Sequence, residues 1–330
     1  MSRVPSPTSS SSSGHLNTYR RLTPRDRLLL SWLAEHYLLS THQVARALFE
    51  SRRTAQQRLT ILHRLQVLHR FTFANPDGTP ETPYLYTLGP VGMRLHPDAY
   101  HDPDQLGLKP ARSSIERVDR LARSPILGHL LGVNQFFIDL HAHARTHPDA
   151  WLLRWWSEQH ATAVFNRSQT RKAQIHPDGH GVWTAAGYTV GFFLEHDRGT
   201  EDVPRVLRKL KGYEQLARTG PRLPVLLWVP SARREASLLD ALRGAPLPMP
   251  VATAVHGDDP AAAVWTLTVD PLRRRALHEL PADPGPAGYP DPAGDRADYD
   301  YDYDQDDDYD DYDELDDEDV DTEDDLGNAA

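Results

Sequence analysis

The chain has 330 residues, a hydrophobic fraction of 39% and no cysteine. The lack of cysteine excludes disulfides, cysteine-ligated zinc or iron–sulfur sites and a thiol nucleophile. No apolar run approaches the ~18 residues that a membrane-spanning helix needs, and the Ser-rich residues 1–19 lack the apolar segment of a signal peptide. We therefore expect a disordered leader over residues 1–19 and a soluble, cytoplasmic protein without membrane partners.

The net charge of −11 averages two regions of opposite sign. Residues 281–330 hold 22 of the 47 acids and one base, Arg296, so this tail carries −21 while residues 1–280 carry +10. The acidic run has almost no aliphatic residue to bury, which predicts a disordered tail. That tail either keeps the protein soluble or competes with nucleic acid for the basic body, whose charge indicates a polyanionic partner.

Three short helices and a hairpin are predicted after the leader. Thr23 is a suitable N-cap with Pro24 at the first helical position, a second helix starts at Ser40 or Thr41, and a third starts at Ser51. Residues 71–73 and 84–88 alternate with period two around a turn-forming Asn-Pro-Asp-Gly segment. This order is that of a winged helix, which we assign to residues 20–95.

The third predicted helix carries a polar face suited to duplex DNA. The guanidinium groups of arginine and the side-chain amides of glutamine bind phosphates and base edges in the major groove. Residues 20–73 contain ten Lys or Arg and three acids, so the region is basic. The predicted DNA-binding residues are Arg52, Arg53, Gln56, Gln57 and Arg64. A dimerisation or protein-docking module is the alternative interpretation of the same three-helix unit.

A second α/β domain is predicted at residues 126–280, after a linker at 96–125. Periodicity indicates the order αβββαβαβ, with a first helix at 126–145 and later ones at 203–217 and 232–242. Strands are predicted at residues 151–156, 181–184, 189–197, 224–229 and 250–255. The protein is therefore expected to be of the α+β or α/β class.

Acidic side chains meet at the end of the third strand of this domain. With period two, Glu195 and Asp197 share one face, and a hairpin would return Asp178 to the same edge. Clustered carboxylates are suited to Mg²⁺, and Lys209 on the following helix could stabilise developing charge during phosphodiester hydrolysis. The alternative is a strand end with solvated acids paired to Arg198 or Lys209.

This arrangement resembles the PD-(D/E)XK nuclease superfamily. The matching residues are Pro177-Asp178 at the start of the second strand and Glu195-His196-Asp197 at the third, with Asp197 at the usual lysine position. The resemblance implies an αβββαβ core, a metal bound by Asp178, Glu195 and Asp197, and a catalytic role for these acids with Lys209. Because Asp197 occupies the strand position of the usual lysine, the following helix would supply that lysine, and Lys211 is the alternative to Lys209 for this role.

A closer resemblance covers most of residues 22–256. The winged-helix start, the HLLGVN helix from His129, the HPDG strand start from His176, the EHDRGTE segment from Glu195 and the KLKGY segment from Lys209 are together similar to the actinobacterial replication-relaxation family. The resemblance implies DNA handling in the replication and relaxation of plasmids or other mobile elements. It also implies contact with double-stranded DNA and with replication or conjugation proteins.

Three functions stay open from the sequence. The first is a DNA-binding, metal-dependent nicking enzyme. The second is a non-catalytic regulator of transcription or replication whose nuclease-like fold is degenerate, and the third is a protein-interaction scaffold. The DNA target sequence and the oligomeric state are not specified by any pattern in the chain.

Overall fold

A computed structural model describes residues 21–73, 82–97, 111, 113–167, 169, 174–286 and 288–289. The Ser-rich leader, the predicted turn at 75–78 and the acidic run beyond residue 289 lie outside these residues. The described helices are α1 (Pro24–His36), α2 (Thr41–Leu48), α3 (Arg52–Arg64), α4 (Pro90–Leu95), α5 (Ser114–Ala122), α6 (Leu127–Thr146), α7 (Glu158–Phe165), α8 (Val203–Thr219) and α9 (Ala232–Ala241). The described strands are β1 (Leu39–Ser40), β2 (Leu68–Phe71), β3 (Leu85–Leu88), β4 (Trp151–Ser157), β5 (Gly179–Ala185), β6 (Tyr188–His196), β7 (Val225–Val229), β8 (Val251–Val255), β9 (Trp265–Leu267) and β10 (Asp270–Arg275).

The N-terminal unit consists of α1, β1, α2, α3, β2 and β3 in that order. Its strands form an antiparallel sheet in the order β1-β3-β2. The side chains of Thr23, Ser40 and Ser51 cap the three helices by accepting backbone hydrogen bonds, as the sequence predicts. Such caps satisfy amide groups that have no partner within a helix.

The first arm of the hairpin lies earlier than predicted. The prediction placed a strand at residues 71–73, whereas β2 covers Leu68–Phe71 and pairs Leu68 with Leu88. The chain leaves α3 through Gln66, whose φ is 57°, and this sharp turn lets pairing begin two residues later. Burial of Leu68 fixes the register, because a one-residue slip would turn that side chain to the other face.

A seven-stranded, mostly antiparallel sheet forms the second unit, in the order β10-β9-β8-β7-β6-β5-β4. Only the β6–β7 and β7–β8 pairs are parallel. Helix α6 covers one face with Phe136 and Phe137, and α8 and α9 cover the other with residues such as Leu210 and Leu238. The chain is therefore a mixed α/β protein. None of the described helices is both long and apolar enough to cross a membrane.

Three described elements of this unit are missing from the predicted order αβββαβαβ. Helix α7 is inserted between the first two strands, and β9 and β10 extend the sheet beyond β8. The body also continues past residue 280, because Asp283 and Arg222 exchange backbone hydrogen bonds of 3.2 and 2.8 Å. The first residues of the predicted tail are therefore paired with the segment that leads into β7.

The two units share one hydrophobic core. Gln43 Nε2 of α2 donates to Leu131 O of α6 at 2.9 Å, and Asn134 Nδ2 of α6 donates to Leu38 O at 2.8 Å. The His36 ring stacks on Trp155 of β4 with 3.7 Å between centroids. Within the predicted linker, α5 packs on the N-terminal unit. The buried Arg117 of this helix donates to Thr87 Oγ1 at 3.0 Å.

Candidate functional site

Glu195 is the most deeply buried acid of the predicted site. It lies at the end of β6 with 4% of its surface exposed. Its Oε1 accepts a hydrogen bond from the Tyr213 hydroxyl at 2.6 Å, and its Oε2 accepts one from Lys209 Nζ at 3.0 Å. Burial and the nearby Asp178 charge raise the pKa of Glu195 to about 7, although Lys209 and Tyr213 oppose that rise. A proton can therefore be gained or lost here near neutral pH.

Asp178 lies beside Glu195 because β5 and β6 form a hairpin. The register pairs Gly179 with Leu194, and Asp178 N donates to Leu194 O at 2.9 Å. The Asp178 carboxylate accepts from His196 N at 2.7 Å and contacts His129 Nε2 at 3.1 Å. Burial lowers the pKa of His129, but the hydrogen bond and charge of Asp178 outweigh burial and raise it.

Glu158 is the site residue that the sequence reasoning missed. It is the first residue of α7, and burial followed by the Asp178 charge raises its pKa, while His176, His129 and Lys209 oppose the rise. The pKa of Glu158 therefore responds to charged groups that also affect the pKa of Glu195. A signal was present in the sequence, because Ser157 directly before Glu158 is a favourable N-cap.

Asp197 lies in a separate ion pair. Its Oδ2 contacts Arg234 Nε at 2.6 Å and its Oδ1 accepts from Gly199 N at 2.7 Å, while Arg234 Nη2 donates to Glu201 O at 2.7 Å. These contacts order the loop between β6 and α8. Asp178, Glu195 and Lys209 therefore lie together, whereas Asp197 forms an ion pair with Arg234 of α9.

The two predicted lysines differ in their surroundings. Lys209 contacts Glu195 and, at 3.4 Å, Glu201 Oε2, and its side chain is 40% exposed. Burial lowers its pKa, but the charges of Glu195 and Asp178 outweigh burial and raise it. Lys211 lies exposed on the same helix. Lys209 is therefore the ammonium group of this cluster.

The donor chemistry of the cluster fits Mg²⁺, which prefers carboxylate oxygens. Asp178 and Glu195 supply two carboxylates at neighbouring strand ends, and burial, followed by the charge of Asp178, raises the pKa of both Glu195 and Glu158. Across the described part of the chain, no three His, Asp or Glu side chains are grouped as ready ligands for a metal ion. The Glu195 carboxylate is instead held by Lys209 and Tyr213, and that of Asp178 by His129.

The start of α6 approaches this cluster closely at a glycine. A Cβ added to Gly132 would lie 2.4 Å from His196 Nε2, and the His196 ring is held by stacking on His256 with 4.4 Å between centroids. Gly132→Ala is therefore expected to lower the melting temperature, because such overpacking costs about 1–3 kcal/mol.

Gly128→Ala is the matched control on the same helix. The nearest atom to a Cβ at residue 128 is Arg198 Nη2 at 4.0 Å, so this change is expected to stabilise the helix by up to about 1 kcal/mol. Thermal unfolding of both variants measures the difference. Equal melting temperatures for the two would contradict the close approach of Gly132.

The predicted DNA-binding face lies on α3. Arg52, Arg53, Gln57 and Arg64 are exposed, and Gln56 is half-buried. No carboxylate within the described ranges pairs with Arg53. By contrast, Arg58 of the same helix turns towards α1, where its Nε donates to Asp26 Oδ1 at 3.0 Å. The exposed face of α3 is therefore basic, while one of its arginines fixes the helix to the core.

Comparisons with known proteins give one match. A sequence model of the replication-relaxation family matches residues 30–226, a range that contains α3, Glu158, Asp178, Glu195 and Lys209. No curated protein and no solved structure matches the chain. The matched range spans more than half of the 330 residues. The chain therefore belongs to the replication-relaxation family.

Proposed function

We propose that this protein binds double-stranded DNA during the replication and relaxation of plasmids or other mobile elements. Membership of the replication-relaxation family supports a role in those processes. The observation that carries the DNA-binding part is the exposed basic face of α3, with Arg52, Arg53 and Arg64. Arginines on one helix face match the phosphates and guanine edges of a duplex.

A winged helix is the proposed form of the N-terminal unit. Its order of α1, β1, α2, α3, β2 and β3 and its small antiparallel sheet support this assignment. In such a unit α3 is the helix that enters the major groove, and the hairpin arms β2 and β3 flank it.

A PD-(D/E)XK nuclease-like core is the proposed form of the second unit. The order α6, β4, β5, β6, α8 and β7, with an antiparallel β4-β5-β6 meander and β7 parallel to β6, supports it. The insertion of α7 adds Glu158 to the acids at the end of this meander.

The proposed chemistry is hydrolysis of a phosphodiester bond. Asp178, Glu195 and Glu158 would hold Mg²⁺, which supplies polarisation of the phosphate and a nucleophilic water when bound. Lys209, which is partly exposed beside Glu195, would stabilise negative charge that develops on the phosphate oxygens. The buried Tyr213 hydroxyl orients the Glu195 carboxylate.

A non-catalytic regulator is the second candidate function. It is favoured by the Glu195 carboxylate, whose oxygens contact Tyr213 and Lys209, and by the lack of a ready-made metal-ligand group among the described residues. In this version the second unit would support DNA binding without cleaving the strand.

The salt dependence of DNA affinity tests the contact between α3 and DNA, which both candidate functions require. The slope of log affinity against log salt changes by about 0.9 for each phosphate contact, so Arg53→Ala should make it shallower by about 1 and the Arg52→Ala, Arg53→Ala double variant by about 2. Fluorescence anisotropy of a labelled duplex at several salt concentrations measures this slope.

Arg243→Ala is the matched control for this experiment. Arg243 lies just after α9, its side chain is 80% exposed, and it pairs with Asp240, so its loss should leave the slope unchanged. If the α3 variants keep the wild-type slope, α3 is not the contact with DNA. A wild-type protein without measurable affinity would favour a protein-interaction scaffold.

A further inference from the structure

Two histidines at the C-terminal end of α6 form a pair that lies outside the acid cluster. His143 is in the last turn of α6, and His147 is the residue that ends the helix. Side chains four residues apart share one face of a helix, and the two rings are parallel, with 3.8 Å between centroids and 7° between planes. The nearby His141 is instead buried and packs on Trp32. The pair is therefore distinct from the histidines of the core.

Hydrogen bonds place the proton of both neutral rings on Nδ1. His143 Nδ1 lies 2.9 Å from Asp259 Oδ2, and His147 Nδ1 lies 2.9 Å from the carbonyl oxygen of His143. Because a carboxylate and a carbonyl only accept, each Nδ1 must donate. The Thr146 hydroxyl donates to the same carbonyl, so its oxygen, 3.0 Å from His147 Nδ1, accepts there as well. Each Nε2 therefore carries a lone pair.

This arrangement is the one that orients histidines as metal ligands. A histidine that binds a metal through one ring nitrogen usually donates the other N–H to a carboxylate or a backbone carbonyl, which fixes the ring and raises its basicity. Asp259 is itself held, because its Oδ1 accepts from Ala261 N at 2.9 Å. Within the described ranges, no hydrogen bond reaches the Nε2 atom of His143 or of His147.

The pair lines a groove of about 500 Å³ between the end of α6 and the connection from α2 to α3. The side chain of His143 is 20% exposed, and His147 is exposed, so an ion and its water ligands have access to both. The arginines that line the groove are matched by an equal number of carboxylates, and these six residues are Arg46, Arg52, Arg145, Glu50, Asp139 and Asp259. A net positive charge therefore does not oppose a cation here.

We propose that His143 and His147 bind a divalent transition-metal ion such as Zn²⁺ through their Nε2 atoms, with Asp259 orienting His143 and water completing the coordination. Imidazole nitrogen suits Zn²⁺, Ni²⁺ and Cu²⁺, whereas Mg²⁺ selects oxygen ligands. The site has two protein ligands, which is fewer than the three of a ready-made group. It is independent of the proposed function.

The spacing of the rings is compatible with a shared ion. A tetrahedral ion with Zn–N bonds of about 2.0–2.1 Å holds two nitrogens about 3.3 Å apart, which is close to the 3.8 Å between the ring centroids. Small side-chain rotations therefore bring both nitrogens to one ion. Such an ion joins the last turn of α6 to the residue that ends the helix.

A Zn²⁺ titration of the full-length, tag-free protein tests the site, with the imidazole signals followed by NMR. Excess Mg²⁺ is present throughout, so that carboxylate sites elsewhere in the chain are already occupied. The signals of His143 and His147 should shift together and saturate with a single Zn²⁺ ion. The melting temperature should rise as well, because the ion binds the folded state. Unchanged signals for the two histidines would overturn the proposal.

Two variants identify the ligands. His147→Ala should abolish the saturable shift of His143 and the rise in melting temperature, because one imidazole is left to bind the ion. The side chain of His147 is exposed, so this variant should fold as the wild type does. Asp259→Asn should weaken the affinity for Zn²⁺ by about 10- to 100-fold, the usual effect of removing a group that orients a ligand. Wild-type affinity in His147→Ala would overturn the proposal, and wild-type affinity in Asp259→Asn would overturn the role of Asp259.

Two controls separate this site from other histidines and from the acid cluster. His278→Ala removes a histidine that stacks on Tyr188, and Glu195→Gln removes a charge of the cluster; both should keep the wild-type affinity for Zn²⁺. An affinity that is lost in Glu195→Gln and retained in His147→Ala would place the ion in the cluster and overturn the proposal. The measurement involves neither DNA nor cleavage, so a failure of the proposed function is distinguishable from a failure of this site.

Discussion

Lys209→Ala is expected to lower the rate of metal-dependent nicking of supercoiled DNA by about 100- to 1,000-fold, the usual effect of removing one group that stabilises developing charge. Lys209 contacts Glu195 and is partly exposed, so its ammonium group can reach both the acid and a bound phosphate. Gel electrophoresis of plasmid DNA with Mg²⁺ or Mn²⁺ measures the conversion of supercoiled to open circles.

Lys211→Ala is the matched control, because Lys211 is an exposed lysine on the same helix and was the alternative lysine in the sequence. This variant should nick at the wild-type rate. An equal loss in both variants would point to weakened DNA binding instead of chemistry. Absence of nicking by the wild-type protein with both metals would favour the regulator and remove the proposed enzymatic role of the cluster.

The protein is expected to lose stability steeply below about pH 6. Burial lowers the pKa of His36, His141 and His180 to about 3 each. Between their ordinary value of 6.5 and 3, the unfolded chain binds these protons and the folded chain does not. The stability that depends on the three neutral rings is therefore present above pH 6.5 and is lost progressively as the pH falls towards 3.

Each such histidine lowers the free energy of unfolding by about 1.4 kcal/mol per pH unit in this range. The three histidines together lower the free energy of unfolding by about 4 kcal/mol per pH unit. A protein of ordinary stability, about 5–15 kcal/mol, would therefore unfold between about pH 5 and pH 3. Urea unfolding followed by circular dichroism at several pH values measures the slope. His36→Gln should reduce that slope by about 1.4 kcal/mol per pH unit, and an unchanged slope would contradict a neutral, buried His36.

The contribution of Glu195 to the free energy of unfolding changes with pH in the opposite direction to that of the histidines. Its pKa rises from 4.5 to about 7 on folding, so the folded state binds a proton that the unfolded state releases. The stability linked to that proton is complete below pH 4.5 and is lost as the pH rises through 7. Together with the histidines, this places the greatest stability near pH 6 to 7.

The helices of the N-terminal unit were predictable because their starts are encoded locally. Thr23, Ser40 and Ser51 each cap the helix that follows, and a cap needs only neighbouring residues. Helix α7 was missed although Ser157 has the same role. It follows directly on the Trp-rich strand β4, with no loop between the strand and the helix.

The acid cluster was predictable only in part. The period of β6 and the hairpin to β5 correctly suggested that Asp178 lies beside Glu195. The position of Asp197 depended on α9, since Arg234 of that helix binds its carboxylate, and strand periodicity carries no information about a helix more than 30 residues away. Glu158 lies at the start of α7, a helix that the sequence reasoning did not predict.

The shared core of the two units has a geometric consequence. Gln43 of α2 bonds to Leu131 of α6, and Asn134 of α6 bonds to Leu38 just before β1, so the unit that carries α3 and the unit that carries the acids at the end of β6 are joined across that core. If the proposed binding by α3 and the proposed cleavage both hold, any break in the strand should fall at a constant number of base pairs from the bound sequence.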